Sequence, residues 1–307
     1  MQSLPGDREI SSESEVGRIA FGTEGSLLAG LCQDEKLRLW EVASGELKTS
    51  LPWEKGDASL TLLPGAAGGM AAVAENGSIK FWDFPGGTPG RTIAGPKERL
   101  KRLGFSQDGK LVAGSGSADE NKSGNVLRVW DGSGRPRFHV PAGFGGTSAI
   151  AFAPDGSSVV AAAFDTNVRA WSSRDGELLR VIDELPVSMF ALAFSPDGKY
   201  LAAGGADRTV YLFDTKAWKA VRKFTALPEM VSAIAFSDNG RYLVTGGFSE
   251  VTEKNPVKVL LWDVAAGKVI RSVTAPRRVA SVAFAPGNKL FASSAQQKTI
   301  RLWAVPA

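Results

Sequence analysis

The chain has one histidine, His139, and one cysteine, Cys32, in 307 residues. A lone cysteine cannot close an internal disulfide, so the fold does not rest on an oxidising compartment. One imidazole and one thiol in separate repeats supply neither a nucleophile with its base nor a zinc ligand set. There is no Cys-x-x-Cys, no His-Glu-x-x-His and no Gly-x-x-x-x-Gly-Lys-Ser/Thr. His139 reads as a surface or partly buried strand residue, and Gly114-Ser115-Gly116 as strand backbone rather than a phosphate-cradling turn. Most acids fall at turn signals, which leaves little for paired-carboxylate chemistry. The expectation is no catalysis, no cofactor and no metal.

Charge of one sign is also scarce, with 36 basic against 32 acidic residues and a net charge of +4. The cations are spread through the turns instead of lying in one stripe, which argues against nucleic acid. No apolar run approaches the length of a membrane span, and residues 1–15 lack a basic-then-apolar leader pattern. These features predict a cytoplasmic chain without membrane attachment.

What the sequence has in abundance is repetition. Seven apolar strands end at Phe21, Leu62, Phe105, Phe152, Phe194, Phe236 and Phe284, and seven later runs end at Trp40, Trp82, Trp130, Trp171, Phe213, Trp262 and Trp303. The second set is spaced by 42, 48, 41, 42, 49 and 41 residues. A period of this length suits four-stranded blades around an axis, because no unit can bury its apolar faces without neighbours. Seven such units occupy residues 1–307 as one all-β domain. Asp-Gly or Asn-Gly turn signals at Pro154-Asp155-Gly156, Pro196-Asp197-Gly198, Gln107-Asp108-Gly109 and Asp238-Asn239-Gly240 mark the joints. Small residues such as Ala161-Ala162-Ala163 and Ala202-Ala203-Gly204-Gly205 read as packing between close blades.

The run from Ala193 to Asp214, AFSPDGKYLAAGGADRTVYLFD, resembles a WD40 repeat. Residues Ala149 to Trp171, Ala233 to Asp263, Val282 to Trp303, Ile19 to Trp40 and Leu103 to Asp131 follow the same template, and Leu60 to Asp83 is a degenerate copy. The resemblance implies a seven-bladed β-propeller with the Trp and Phe markers buried between blades. It also implies an Asp six residues before the marker, as at Asp34, Asp165 and Asp207, with Asn76 in the second unit. In the family such an Asp often joins a hydrogen-bond network with a His from the preceding loop. The Gly-His dipeptide is absent here, so stability is expected from packing and turns instead.

Too few residues follow Trp303 for a fourth strand in the last blade, so the N-terminus is expected to supply it. Each fourth strand ends 11 or 12 residues before the next Phe, and 11 before Phe21 is Ile10. Residues Asp7 to Ser11 should therefore pair with the strand ending at Trp303, as a polar and comparatively weak seam.

The resemblance further implies a rigid, non-catalytic platform that binds a protein or peptide on its loop face, as a monomeric propeller. Positions six and four before each Phe marker map to that rim as Arg99 and Lys101, Gly146 and Ser148, Ser188 and Phe190, Met230 and Ser232, and Arg278 and Ala280. Beyond the second strands lie Phe164 in blade four and Phe248 in blade six, where blade five has Ala206. The expected partner site is Arg99, Lys101, Phe164, Phe190, Met230, Phe248 and Arg278, with exposed aromatics as anchors and cations reading carboxylates. Polar insertions at residues 117–125 and 249–256 are expected to stand over it as two walls. Two alternatives stay open. One is a regulatory or targeting module of a larger kinase, protease or NTPase. The other is nucleic-acid binding through Lys97, Arg99, Lys101, Arg102, Arg277 and Arg278.

Overall fold

The structure is a computed structural model, and it describes residues 5–22, 24–52, 60–63, 69–73, 78–83, 88–95, 100–116, 125–225, 227–249 and 256–306. Seven four-stranded antiparallel sheets follow one another as the blades of a propeller. The degenerate second unit makes a complete blade, from β6 (Leu60–Leu63), β7 (Gly69–Val73), β8 (Ile79–Asp83) and β9 (Thr88–Ile93). Backbone pairing thus persists where the side-chain template fades.

The first strand of each blade lies at the axis and the fourth at the rim. Exposed Leu178, Leu179, Val221, Val269 and Ile270 on fourth strands mark the outer wall. Apolar clusters fill all seven blade-to-blade interfaces. In each, the aromatic that ends a third strand packs back on the preceding blade. Trp262, for example, meets Phe224 edge-on with ring centroids 5.2 Å apart. Such rings carry much of the core, since burying one removes a large apolar area from water.

Close blade spacing explains the small residues. A Cβ on Gly204 would come within 2.4 Å of Val231 Cγ1 on the next blade, and one on Gly246 within 2.4 Å of Val279 Cγ1. Ala161, Ala162, Ala163, Ala202 and Ala203 are fully buried in the same layer. Gly246→Ala is expected to destabilise the fold by about 1–3 kcal/mol through overpacking. An unchanged melting temperature would show that the blades can part at no cost.

The turns behave as their residues dictate. Asp108 Oδ1 accepts from the Ser106 hydroxyl and the Lys110 N–H. Asp197 and Asn239 accept equivalent bonds, and Asp155 accepts from both the hydroxyl and the N–H of Ser157. His139 is exposed on β13 (Pro136–Gly143), and Cys32 is buried at the end of β3 (Leu27–Cys32).

The last blade is closed by the N-terminus. β1 (Arg8–Ser11) pairs with β28 (Thr299–Ala304), with Ile10 opposite Ile300 and buried in the interface with blade one. The polar residues around Ile10 fasten this seam. Asp7 Oδ1 accepts from the Ala304 N–H at 2.9 Å, and Asp7 Oδ2 from Arg271 Nη2 at 2.5 Å. Arg271 also donates to the Ala304 carbonyl, and Arg301 pairs with Glu9 at 2.8 Å.

The expectation that packing and turns replace the family's Asp network needs correction. Three of the four marked positions are Asp, and each Asp bonds a side chain four residues on, along the third strand. Arg38 grips Asp34 through both terminal nitrogens at 2.7 and 2.5 Å, and adds Glu13 at 3.0 Å. Arg169 grips Asp165 at 3.1 and 2.8 Å. In blade five the Tyr211 hydroxyl donates to Asp207 at 2.6 Å. Crossing the turn, i and i+4 come side by side, so the missing histidine is replaced within the blade. Asn76 lies outside the described residues.

Candidate interaction face

The first strands carry a repeated irregularity that builds the loop face. In five blades the pairing of first and second strands slips by one residue, at Gly17, Lys101, Ser148, Phe190 and Ser232. All five stand four residues before their Phe marker. A bulge leaves one residue out of the ladder and re-aims its side chain. Here Gly17, Ser148, Phe190 and Ser232 line a cavity of about 600 Å³ at the mouth of the central channel. Below it the channel continues between the first strands, past Ala149, Ala191, Ala233 and Ser281.

The bulges also latch the blades. Ser148 Oγ donates to the Met189 carbonyl of the next blade, and Ser232 Oγ to the Val279 carbonyl at 2.7 Å. Ser294 Oγ donates to the Gly17 carbonyl at 2.6 Å across the junction of blades seven and one. The cavity wall is therefore held by backbone contacts around the ring, which favours a preformed site.

Of the expected partner residues, four converge on this cavity. Phe164, Phe190 and Phe248 form an arc on blades four to six, with ring centroids 6.2 and 5.9 Å apart. Arg278 of blade seven stacks on the end of the arc, its guanidinium carbon 4.4 Å from the Phe248 centroid. Not all these rings stand exposed, as expected from sequence. Phe164 is 49% exposed, whereas Phe190 and Phe248 are half-buried because each ring leans on its neighbour. Met230 is half-buried, lies opposite Phe248 in the strand pairing and does not line the cavity. Lys101 falls at the bulge of β10 (Leu100–Phe105), with its side chain outside the described residues. Arg99 and Lys97 lie outside them altogether, as do residues 117–124 and 250–255 of the two expected walls.

Three residues that sequence reasoning did not place in the site belong to this face. Phe144 is 68% exposed in the loop between blades three and four. Its N–H donates to Asp165 Oδ2 at 3.2 Å, while the Phe164 N–H donates to the Gly146 carbonyl, so this loop wraps Phe164. The path needs glycine. Gly143 has φ +112°, and a Cβ there would strike Asp165 Oδ2 and Arg169 Nη1 at 2.6 Å. A large apolar residue among Gly143, Gly145 and Gly146 has nothing beside it to be buried against, and that was a readable signal.

The other two are Arg18 and Arg102. Arg18 donates to the Ala280 carbonyl at 3.2 Å, and Arg102 Nε to the Ser148 carbonyl at 2.8 Å. Both line the cavity with Arg278. Burial, followed by the charges of Arg102 and Arg278, brings the Arg18 pKa down to about 10. Arg102, one of the cations considered for nucleic acid, is thus turned inward to the channel mouth. Among the described residues no cluster of His, Cys, Asp and Glu could hold a metal ion, and no helix is long and apolar enough to cross a membrane.

Comparison with known proteins agrees with the architecture. The family model described as WD domain, G-beta repeat matches residues 139–172, 180–214, 218–250 and 267–304. Each match starts at or near the fourth strand of one blade, and three run through the third strand of the next while the match at 218–250 stops after the second, the offset that leaves the last blade to be completed by β1. A curated protein, the Periodic tryptophan protein 2 homolog of Schizosaccharomyces pombe (strain 972 / ATCC 24843), is 29% identical over 114 residues. That stretch is 37% of this chain and 13% of the relative's length. Four successive matched repeats, within seven four-stranded blades that share one register of aromatic markers, place the chain in the WD40-repeat family.

Proposed function

We propose that the chain is a non-catalytic interaction scaffold that binds a peptide or protein segment on its loop face, over the channel mouth. Membership of the WD40-repeat family supports the general role, and fold by itself fixes no partner. The observation that carries the choice of face is the arc of Phe164, Phe190 and Phe248 capped by Arg278, around a cavity of about 600 Å³. Aromatic and arginine side chains around a desolvated pocket are the groups that dominate binding energy at protein interfaces. The volume suits a few side chains of an inserted segment rather than a folded domain.

Affinity capture from a native lysate tests this, comparing wild type with a variant carrying Phe164→Ala, Phe190→Ala, Phe248→Ala and Arg278→Glu. The variant must first melt like wild type. A specific partner should be lost by the variant, with affinity falling about a hundred-fold or more for two or more such anchors. Equal capture by both chains would move the site to the outer walls or the opposite face.

A further inference from the structure

We propose that the channel mouth contains an anion subsite, built by Arg18, Arg102 and Arg278 of blades one, three and seven, that takes the carboxylate or phosphoryl group of a peptide whose apolar side chains lie along the phenyl arc. The proposal rests on the loop-face reading and names the chemistry of its ligand.

Three cations from blades far apart in sequence meet at one cavity, close enough for Arg102 and Arg278 to depress the Arg18 pKa. Gathering like charges in a half-buried space is unfavourable, and the backbone tethers to Ala280 and Ser148 hold two of them there. Elsewhere in the ring three enclosed arginines are neutralised. Arg38, Arg169 and Arg271 each have a carboxylate within 3.0 Å. Arg18 and Arg278 have none among the described residues, and Glu35, in an exposed turn, is the acid lining the cavity. An entering anion would relieve the repulsion and meet planar guanidinium donors suited to carboxylate or phosphoryl oxygens.

The aromatic arc extends the match. An extended peptide repeats on one side every two residues, about 6.6 Å, and the rings stand 6.2 and 5.9 Å apart. Arg278 continues the row by stacking on Phe248. The fitting segment is thus extended, apolar at alternate positions, with an anionic residue next in the alternation.

The test uses the full chain and immobilised nonapeptide pools with degenerate flanks. The central residue is fixed as Glu, phosphoserine, Gln or Lys. Wild type should retain the Glu or phosphoserine pool about ten-fold or more over the Gln and Lys pools. Arg18→Gln should abolish that preference. Arg278→Gln, at an exposed residue with no backbone bond among the described residues, should weaken it and guards against a folding defect in the first variant. A parallel titration with inorganic pyrophosphate, read as a thermal shift, separates a free anion from a peptide-borne one. Retention of all four pools alike would overturn the anion subsite while leaving the loop face as a peptide site. If no pool is retained but pyrophosphate stabilises wild type and not Arg18→Gln, the cavity takes small anions and the peptide proposal fails. If neither is bound, both the subsite and the loop-face reading fall.

Discussion

Removing residues 1–12 is expected to lower the melting temperature by roughly 10 °C or more, given a few degrees per kcal/mol for a chain of this size. Three losses add up. Ile10, 1% exposed, leaves a hole against Val16, Ile300 and Leu302, and truncating a buried Ile alone costs about 2–5 kcal/mol. Asp7 leaves Arg271 without its carboxylate in a nearly closed site, where breaking such a pair costs about 3–5 kcal/mol. The outer edge of β28 then presents unpaired backbone, an invitation to intermolecular strand pairing. Ile10→Ala and Asp7→Ala divide the effect, and light scattering reports the third loss. A truncated chain that melts with wild type would mean that closure by β1 contributes nothing to stability.

That seam also shows what could be read from sequence. Ile10 was locatable by counting, because the interval from fourth strand to next marker hardly varies, and an arithmetic regularity survives without side-chain detail. Ser148, Phe190 and Ser232 were mapped to the rim by the same counting, but the bulges that re-aim their side chains were not foreseen. The role of Asp7 was not, since its partner Arg271 is 264 residues away and reaches it only when the ring closes. Arg18 was hidden likewise, its neighbours Arg102 and Arg278 belonging to the third and seventh blades. The replacement of the missing histidine was nearer to hand. Asp34 with Arg38, Asp165 with Arg169 and Asp207 with Tyr211 share a four-residue spacing, but that spacing signals contact only once the turn between second and third strands is drawn. Phe144 lay between markers, where periodicity says nothing, and its glycine-rich surroundings were the sole cue.

The pair in blade four leads to the second large effect. Asp165→Asn is expected to destabilise the fold by roughly 3 kcal/mol at neutral pH, because Arg169 would remain half-enclosed without a counter-charge. The deficit should shrink with acidity. Burial pushes the Asp165 pKa up, but Arg169 and the N–H groups of Phe144 and Asn167 outweigh it, and the net displacement is downward. A carboxyl whose pKa is lower in the folded state stabilises above its unfolded value, about 3.9 for Asp, and loses that contribution as pH falls through the folded value. Wild type should therefore lose stability steeply below about pH 4, and the variant less so, the two curves approaching one another near pH 2. Asp34, depressed mainly by its bonds to Arg38, and Asp108 and Asp155, depressed by turn donors, add to the acid lability of both chains. Glu229, raised by burial, works the other way, but it stands alone among the shifted carboxylates described. The phenol of Tyr211, pushed up to about 12 by burial and by Asp207, stays a donor throughout, so blade five provides the internal contrast. Tyr211→Phe removes a donor and leaves the carboxylate, with no arginine left uncompensated, so its stability deficit at neutral pH should be the smaller of the two. Melting curves of the three chains from pH 7 to pH 2 decide the matter. Parallel curves for Asp165→Asn and wild type would show that the carboxylate of blade four holds the turn by shape and not by charge.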